Sequence, residues 1–237
     1  MASAVTDKKP GLSSGSKLYL LAYNGVLSAG WLLILMQTIR YTVQHRVALQ
    51  QLSGYVPGLY AEIRGPLKIF QTAAFMEVIH SFFGLVSSSV VVTFLQVYSR
   101  LFLLWAILVG VQSVSSGIGL LLIAYAWSIT EVVRYAYYFF GLLDNVPYFI
   151  KWARYTLFYV LYPIGVLGEL LLIFSAIPVT TATGQWSTSL PNSLNLSFHF
   201  PYFLIITILL YIPIFPQLYG HMIAQRKKVL GTKPKAE

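Results

Sequence analysis

Six stretches of the chain carry almost uninterrupted apolar side chains, near residues 18 to 39, 67 to 86, 90 to 111, 118 to 143, 156 to 178 and 198 to 219. A bilayer core about 30 Å thick requires roughly 20 apolar residues per helix, so each stretch has the length of a membrane-crossing helix. Ser87-Ser88-Ser89, the run from Gln112 to Gly117, and Asp144-Asn145-Val146-Pro147 interrupt the pattern. Breaks this short, rich in serine or marked by proline, join antiparallel neighbours. The pattern predicts an all-α polytopic membrane protein, a bundle of about six transmembrane helices with no soluble domain between them. Residues 1–16 are polar and read as a disordered tail, 17–230 as the bundle and 231–237 as a second tail, with 40 to 66 lying partly at the interface. The apolar stretch after residue 17 lacks a small-residue cleavage pattern, so it is expected to remain as a helix and not to act as a signal peptide.

Composition agrees with a membrane class: 57% of the 237 residues are hydrophobic and 10% are charged. The chain has no cysteine, which excludes disulfides, thiolate metal sites and cysteine nucleophiles. Its net charge of +9 arises from Lys and Arg at the ends and membrane flanks, not on one interleaved face. That distribution argues against nucleic acid and for membrane orientation and an anionic substrate. With six spans, the side bearing both termini carries ten Lys and Arg and the other side four, namely Arg40, Arg46, Arg64 and Lys68. The positive-inside rule then places both termini in the cytosol. Lys233 and Lys235 stand third and fifth from the end, the spacing of a dilysine retrieval signal, which points to the endoplasmic reticulum membrane. Asn195-Leu196-Ser197 is a glycosylation sequon on the lumenal side, and its closeness to the sixth span argues against its use.

Six ionisable groups interrupt the apolar runs: Glu77, His80, Arg100, Glu131, Arg134 and Glu169. Facing lipid independently, they would cost more than about 10 kcal/mol in sum, so they are expected to share one interior and compensate one another. Glu131 and Arg134 are three apart on one helix face and can pair locally, whereas Arg100 needs a partner from another helix. Glu77-Val78-Ile79-His80 has the one-turn spacing of a carboxylate–imidazole metal pair. The remaining histidines, His45, His199 and His221, are scattered, so no metal site is expected. His80-Ser81-Phe82-Phe83-Gly84-Leu85-Val86-Ser87 mimics a tyrosine phosphatase loop with Ser81 in place of the thiolate and Ser87 in place of the arginine, which excludes phosphatase chemistry.

Glu169 closes an apolar run, and an intramembrane carboxylate is a functional-site hypothesis by default. Tyr162 lies seven residues earlier, two helical turns and about 10 Å along the axis on the same face. Gly165 lies between them and leaves a notch for a substrate, and Pro163 removes a helix hydrogen bond beside it. Arg154 sits about 12 Å before Tyr162 along a straight helix, and with Lys151 it has the charge to meet phosphates at the membrane surface.

Across residues 17 to 230 the chain resembles the membrane 3-hydroxyacyl-CoA dehydratases of very-long-chain fatty acid elongation, the protein tyrosine phosphatase-like family. The shared segments include Tyr23-Asn24, Pro66-Leu67-Lys68, Glu77-Val78-Ile79-His80 and Gln96 with Ser99-Arg100-Leu101-Phe102. They continue through Trp127-Ser128-Ile129-Thr130-Glu131 with Arg134-Tyr135, Trp152 to Glu169, Leu190-Pro191-Asn192 and Tyr211-Ile212-Pro213. Arg64-Gly65 departs from the pattern, where an acidic residue is expected. The resemblance implies a catalytic pair, Tyr162 and Glu169, with Gln96, Arg100, Arg134, Arg154 and Gly165 at sensitive positions. It implies loss of water from a very-long-chain (3R)-3-hydroxyacyl-CoA to give the trans-2-enoyl-CoA, the third step of elongation, with no cofactor and with either residue as acid or base. The implied partners are the elongases, the 3-ketoacyl-CoA reductase and the trans-2-enoyl-CoA reductase. A transporter and a catalytically silent scaffold of the elongation complex are the alternatives; the first lacks inverted repeats, and the intact Tyr162 and Glu169 argue against the second.

Overall fold

The computed structural model describes residues 13–45, 55–193 and 195–231. Lys8, Lys9, Arg46, Lys233 and Lys235, with the dilysine signal and most of both expected tails, lie outside the described residues. The first helix, α1 (Ser14–Gln44), opens where the Ser13 hydroxyl accepts the Ser16 backbone N–H at 3.1 Å. That serine satisfies one of the donors that a helix start leaves unpaired. Next come α2 (Leu59–Ala73), α3 (Met76–Phe82) and α4 (Val90–Phe102), the last running on through widened π-type turns over Leu103–Val109. The remaining helices are α5 (Ile118–Leu142), α6 (Tyr148–Thr156), α7 (Phe158–Thr183) and α8 (Phe200–Leu230).

Among the described residues, five helical runs are long and apolar enough to cross a membrane: Ser14–Gln44, Val90–Val109, Ile118–Leu142, Phe158–Thr183 and Phe200–Leu230. The protein is therefore an all-α, multi-spanning membrane protein. The expected second span is divided between α2 and α3. The backbone stays in the right-handed helical region through Ala74 and Phe75, and the turn tightens: Phe75 N–H bonds Thr72 O at 3.0 Å and Val78 N–H bonds Phe75 O at 3.0 Å. Residues 59–82 thus follow one helical path of about 36 Å with a short 3₁₀-like joint.

At the centre of the bundle, α5 packs along α1 on one side and α7 on the other. Glycine permits the closer of these crossings. A Cβ on Gly119 would stand 2.8 Å from the Gly168 carbonyl oxygen, and one on Gly168 would stand 2.8 Å from Ile123 Cγ2, so the two backbones touch. Where α1 meets α2, the Phe70 ring occupies the space a side chain at Gly30 would need. The widened turns of α4 set Leu103, Leu104, Ile107 and Leu108 fully into the core. The outermost helix, α8, packs mainly on α7 and leaves Ile206, Leu209, Leu210 and Ile212 exposed. An apolar outer face suits a helix solvated by lipid.

Long-range contacts fix the antiparallel order. Lys17 pairs with Asp144 at 3.8 Å, setting the start of α1 beside the end of α5. Arg226 Nε donates to Thr156 Oγ1 at 3.4 Å, setting the end of α8 beside α6 and the start of α7. Residues 13 and 231 therefore lie at the same end of the bundle, together with Lys151, Arg154 and Arg226. At the opposite end the Tyr41 hydroxyl bonds Pro57 O, Val56 N–H bonds Ser116 O at 2.6 Å, and Gln185 Nε2 bonds Gly110 O at 2.6 Å.

Candidate active site

One face of α5 carries most of the polar interior. Trp127, Glu131, Arg134 and Tyr138 follow one another at three- and four-residue steps, with Tyr135 four residues after Glu131, so they form one stripe along the helix. Glu131 is 1% exposed and accepts from two cations, Arg100 on α4 and Arg134 one turn along its own helix. Arg134 also forks onto Glu77 of α3 through Nη1 at 2.6 Å and Nη2 at 2.8 Å. The Tyr135 hydroxyl donates to the same Glu77 carboxyl at 2.5 Å. Two acids and two guanidinium groups thus neutralise one another across three helices, which lowers the penalty of holding charge away from water. The local pair Glu131–Arg134 and the inter-helix partner expected for Arg100 are both present, and Glu131 serves both.

Glu169 stands apart from this ion-pair network. It is partly buried on α7 and makes no salt bridge among the described residues. Instead one oxygen accepts the Trp127 indole N–H at 3.0 Å and the other accepts the Tyr211 hydroxyl of α8 at 2.6 Å. Trp127 links the carboxyl to the network, because the Arg100 guanidinium lies 5.7 Å from the centre of its ring. Gly168 brings α7 so close to α5 that the next residue along, Glu169, can reach Trp127.

Tyr162 lies two turns before Glu169 on α7 and is also partly buried. Its ring stacks on Phe215 at 5.2 Å with an interplanar angle of 4°, and on Tyr219 at 6.3 Å and 15°. Among the described residues its hydroxyl forms no hydrogen bond. Pro163 explains part of this arrangement. Lacking an N–H, it leaves the Tyr159 carbonyl without its helical donor. The Tyr219 hydroxyl supplies a donor at 3.3 Å, which latches α8 to α7 one turn from Tyr162. Helix α7 runs on without a break through Pro163. A methyl at Gly165 would meet only Ala126 Cβ, at 3.4 Å, so the face between Tyr162 and Glu169 keeps room beside the backbone.

The other expected residues lie further off. Arg154 of α6 is stacked among Tyr137 at 4.5 Å, Tyr138 at 4.7 Å and Tyr155 at 5.7 Å, and donates to the Tyr138 hydroxyl at 3.2 Å. Stacking occupies the faces of a guanidinium and leaves its edge donors available. Lys151 stands one turn before it, toward the surface, and Arg226 joins them over the Tyr159 ring. Gln96 is exposed one turn before Arg100 and is not brought to the site. Glu77 and His80 turn to different partners, His80 bonding the Tyr19 hydroxyl at 2.8 Å. The phosphatase-like stretch is the end of α3, where the Ser81 hydroxyl bonds Glu77 O at 2.9 Å and the Ser88 hydroxyl at 2.6 Å.

Comparison with known proteins gives this arrangement its context. The sequence profile of "Protein tyrosine phosphatase-like protein, PTPLA" matches residues 71–232. Very-long-chain (3R)-3-hydroxyacyl-CoA dehydratase 2 of Mus musculus is 49% identical over 224 residues, covering 94% of this chain and 85% of its own length. The chain belongs to the protein tyrosine phosphatase-like family of very-long-chain (3R)-3-hydroxyacyl-CoA dehydratases. Dehydratase 1 of Mus musculus is 43% identical over 242 residues, covering 100% of this chain and 83% of its own. The similarity extends to plants: dehydratase PASTICCINO 2B of Oryza sativa subsp. japonica is 38% identical over 222 residues, with 92% and 96% covered. No solved structure matches the chain. The part of the chain matched by the family profile, residues 71–232, contains Glu77, the α5 stripe, Tyr162, Glu169 and Tyr211.

Sequence reasoning singled out Tyr162 and Glu169 but gave no part to Trp127, Tyr211 or Tyr219. One signal for Trp127 was available: it precedes Glu131 by one turn, on the charged face of a helix. Tyr211 and Tyr219 are hydroxyls in an apolar run, and nothing in the linear pattern separates them from the rest of the chain's 17 tyrosines.

Proposed function

We propose that this dehydratase-family enzyme removes water from (3R)-3-hydroxyacyl-CoA to give trans-2-enoyl-CoA, with Glu169 and Tyr162 as its catalytic pair. The observation that carries the assignment is the contrast between the two groups. Glu169 accepts hydrogen bonds at both oxygens, whereas among the described residues the Tyr162 hydroxyl has no partner and can donate to a substrate. Glu169 therefore takes the proton alpha to the thioester. As the C2–C3 double bond forms and the C3–O bond breaks, Tyr162 protonates the departing hydroxyl, which leaves as water. Return of the proton from Glu169 to the Tyr162 oxygen resets the pair, so no net proton is consumed. Arg100, whose guanidinium lies against the Trp127 ring that donates to Glu169, steadies negative charge that develops on the thioester oxygen and on Tyr162.

The rest of the substrate follows from depth. Lys151 and Arg154, at the end of the bundle where both chain ends lie, meet the CoA phosphates, and the pantetheine arm passes inward along α7 to the notch at Gly165. The alkyl chain continues among apolar helices. Six spans, with 59–82 as the second, cytosolic ends and residence in the endoplasmic reticulum membrane complete the proposal. There the enzyme performs the third step of elongation beside elongases and the two reductases of the cycle. The excess of Lys and Arg at that end supports this orientation.

Dehydration of a long-chain (3R)-3-hydroxyacyl-CoA by the detergent-purified protein tests the reaction, with Glu169→Gln and Tyr162→Phe beside it. Turnover by the wild type and its loss in both folded variants is the expected result. A folded wild type without turnover overturns the enzymatic proposal, and turnover surviving both substitutions moves the chemistry elsewhere.

A further inference from the structure

The proposed elimination gives no part to two residues that grip Glu169 from opposite neighbours. Trp127 reaches one carboxyl oxygen from α5 and Tyr211 reaches the other from α8. A glutamate side chain has three torsions, and one hydrogen bond leaves it able to swing. Two donors from separate helices fix the plane of the carboxyl and the direction of its free lone pairs. An indole nitrogen donates only, so the polarity of the Trp127 contact is unambiguous. Trp127 is itself held: it is 3% exposed, and its ring faces Arg100, which is anchored on Glu131. The clamp therefore ties Glu169 to the ion-pair network on one side and to the outer helix on the other.

Resting on the reading of Glu169 as the base, we infer that Trp127 and Tyr211 are positioning residues that aim its carboxyl at the substrate's alpha proton. Tyr211 also bridges the pair physically: it bonds Glu169, and its own helix presents Phe215 to the Tyr162 ring one turn later. A purely structural role, satisfying a carboxyl away from water, predicts a loss of stability with no change in the rate-limiting step. A positioning role predicts that proton abstraction slows while substrate binding does not, because neither donor touches the CoA end of the site.

Trp127→Phe keeps a ring facing Arg100 and deletes the N–H, and Tyr211→Phe deletes only the hydroxyl. The purified full-length protein is assayed with ordinary and 2-deuterated long-chain (3R)-3-hydroxyacyl-CoA, with thermal unfolding followed in parallel and Glu169→Gln as reference. Each Phe variant is expected to lose at least about tenfold in kcat, to keep KM within about threefold, and to show a larger deuterium effect on kcat than the wild type. Turnover by Glu169→Gln would remove the base itself and the clamp's purpose with it. An inactive Glu169→Gln beside Phe variants with wild-type kcat and isotope effect refutes the positioning role alone. A fall in kcat without a rise in the isotope effect, accompanied by a lowered Tm, also refutes it in favour of the structural role. If Trp127→Phe does not fold, Tyr211→Phe on the outer helix decides the question by the same criteria.

Discussion

Replacing Gly168 with alanine probes how the α5–α7 crossing governs the site. The new methyl would lie 2.8 Å from Ile123 Cγ2, 2.9 Å from the Gly119 carbonyl oxygen and 2.9 Å from Leu122 Cβ. Non-bonded carbons settle at about 3.5–4.0 Å, so relief of the 2.8 Å contact requires the helices to part by roughly 0.7–1.2 Å. None of the three atoms is the far end of a flexible side chain. Overpacking of this kind costs about 1–3 kcal/mol, and at this chain length each kcal/mol lowers Tm by roughly 2–4 °C. The consequence for chemistry is larger, because Glu169 is the next residue and its donor Trp127 sits on the helix being pushed away. A misplacement of about 1 Å at a reacting group can cost about 100-fold in rate. Gly168→Ala should therefore lower both Tm and turnover, the latter by one to two orders of magnitude. Thermal unfolding and steady-state dehydration of the purified variant measure the two effects. Gly220→Ala is the control, since a methyl there has nothing within 4 Å to meet. A Gly168→Ala protein with wild-type Tm and turnover refutes the claim that this contact sets the position of Glu169.

Four further outcomes follow from the same geometry. Gly165→Ala meets only Ala126 at 3.4 Å, so it should keep the wild-type Tm while losing turnover if substrate occupies that notch; full activity counts against the notch. Glu131→Gln strips Arg100 of its only salt-bridge partner among the described residues and should destabilise the protein by about 3–5 kcal/mol. The double variant with Arg100→Met should recover part of that loss in thermal unfolding. Tyr219→Phe should cost about 0.5–1.5 kcal/mol in the wild type, and close to nothing beside Pro163→Ala, where a restored N–H bonds the Tyr159 carbonyl; equal costs in both backgrounds sink the latch. Lys151→Gln combined with Arg154→Gln should raise KM for the acyl-CoA more than it lowers kcat, and an unchanged KM removes these residues from phosphate binding.

Much of the architecture was legible because lipid imposes a simple rule. Any helix crossing the bilayer must be apolar for roughly 20 residues, and a charge inside such a run stands out whatever surrounds it. Glu77, Arg100, Glu131, Arg134 and Glu169 were visible for that reason, one by one. The Glu131–Arg134 pair was visible too, since residues three apart share a helix face. The division of residues 59–82 was not, because tightening one turn at Ala74 and Phe75 changes hydrogen-bond spacing while leaving hydropathy untouched.

By itself the sequence determined the membrane class, the order of apolar segments, the residues able to carry chemistry and, through their spacing on α7, the common face of Tyr162 and Glu169. These depend on composition and on helical periodicity, which are properties of the chain read in order. Only the tertiary structure decided that Glu131 would serve two arginines, that Glu77 would complete the network, and that Glu169 would be left outside it between an indole and a phenol. Apart from Glu131 and Arg134, those partners sit on different helices, 31 to 57 residues apart along the chain. Which of them meet depends on the packing of helices against one another, on contacts such as Gly119 against Gly168 and on the carbonyl that Pro163 leaves free, and no local pattern encodes that choice.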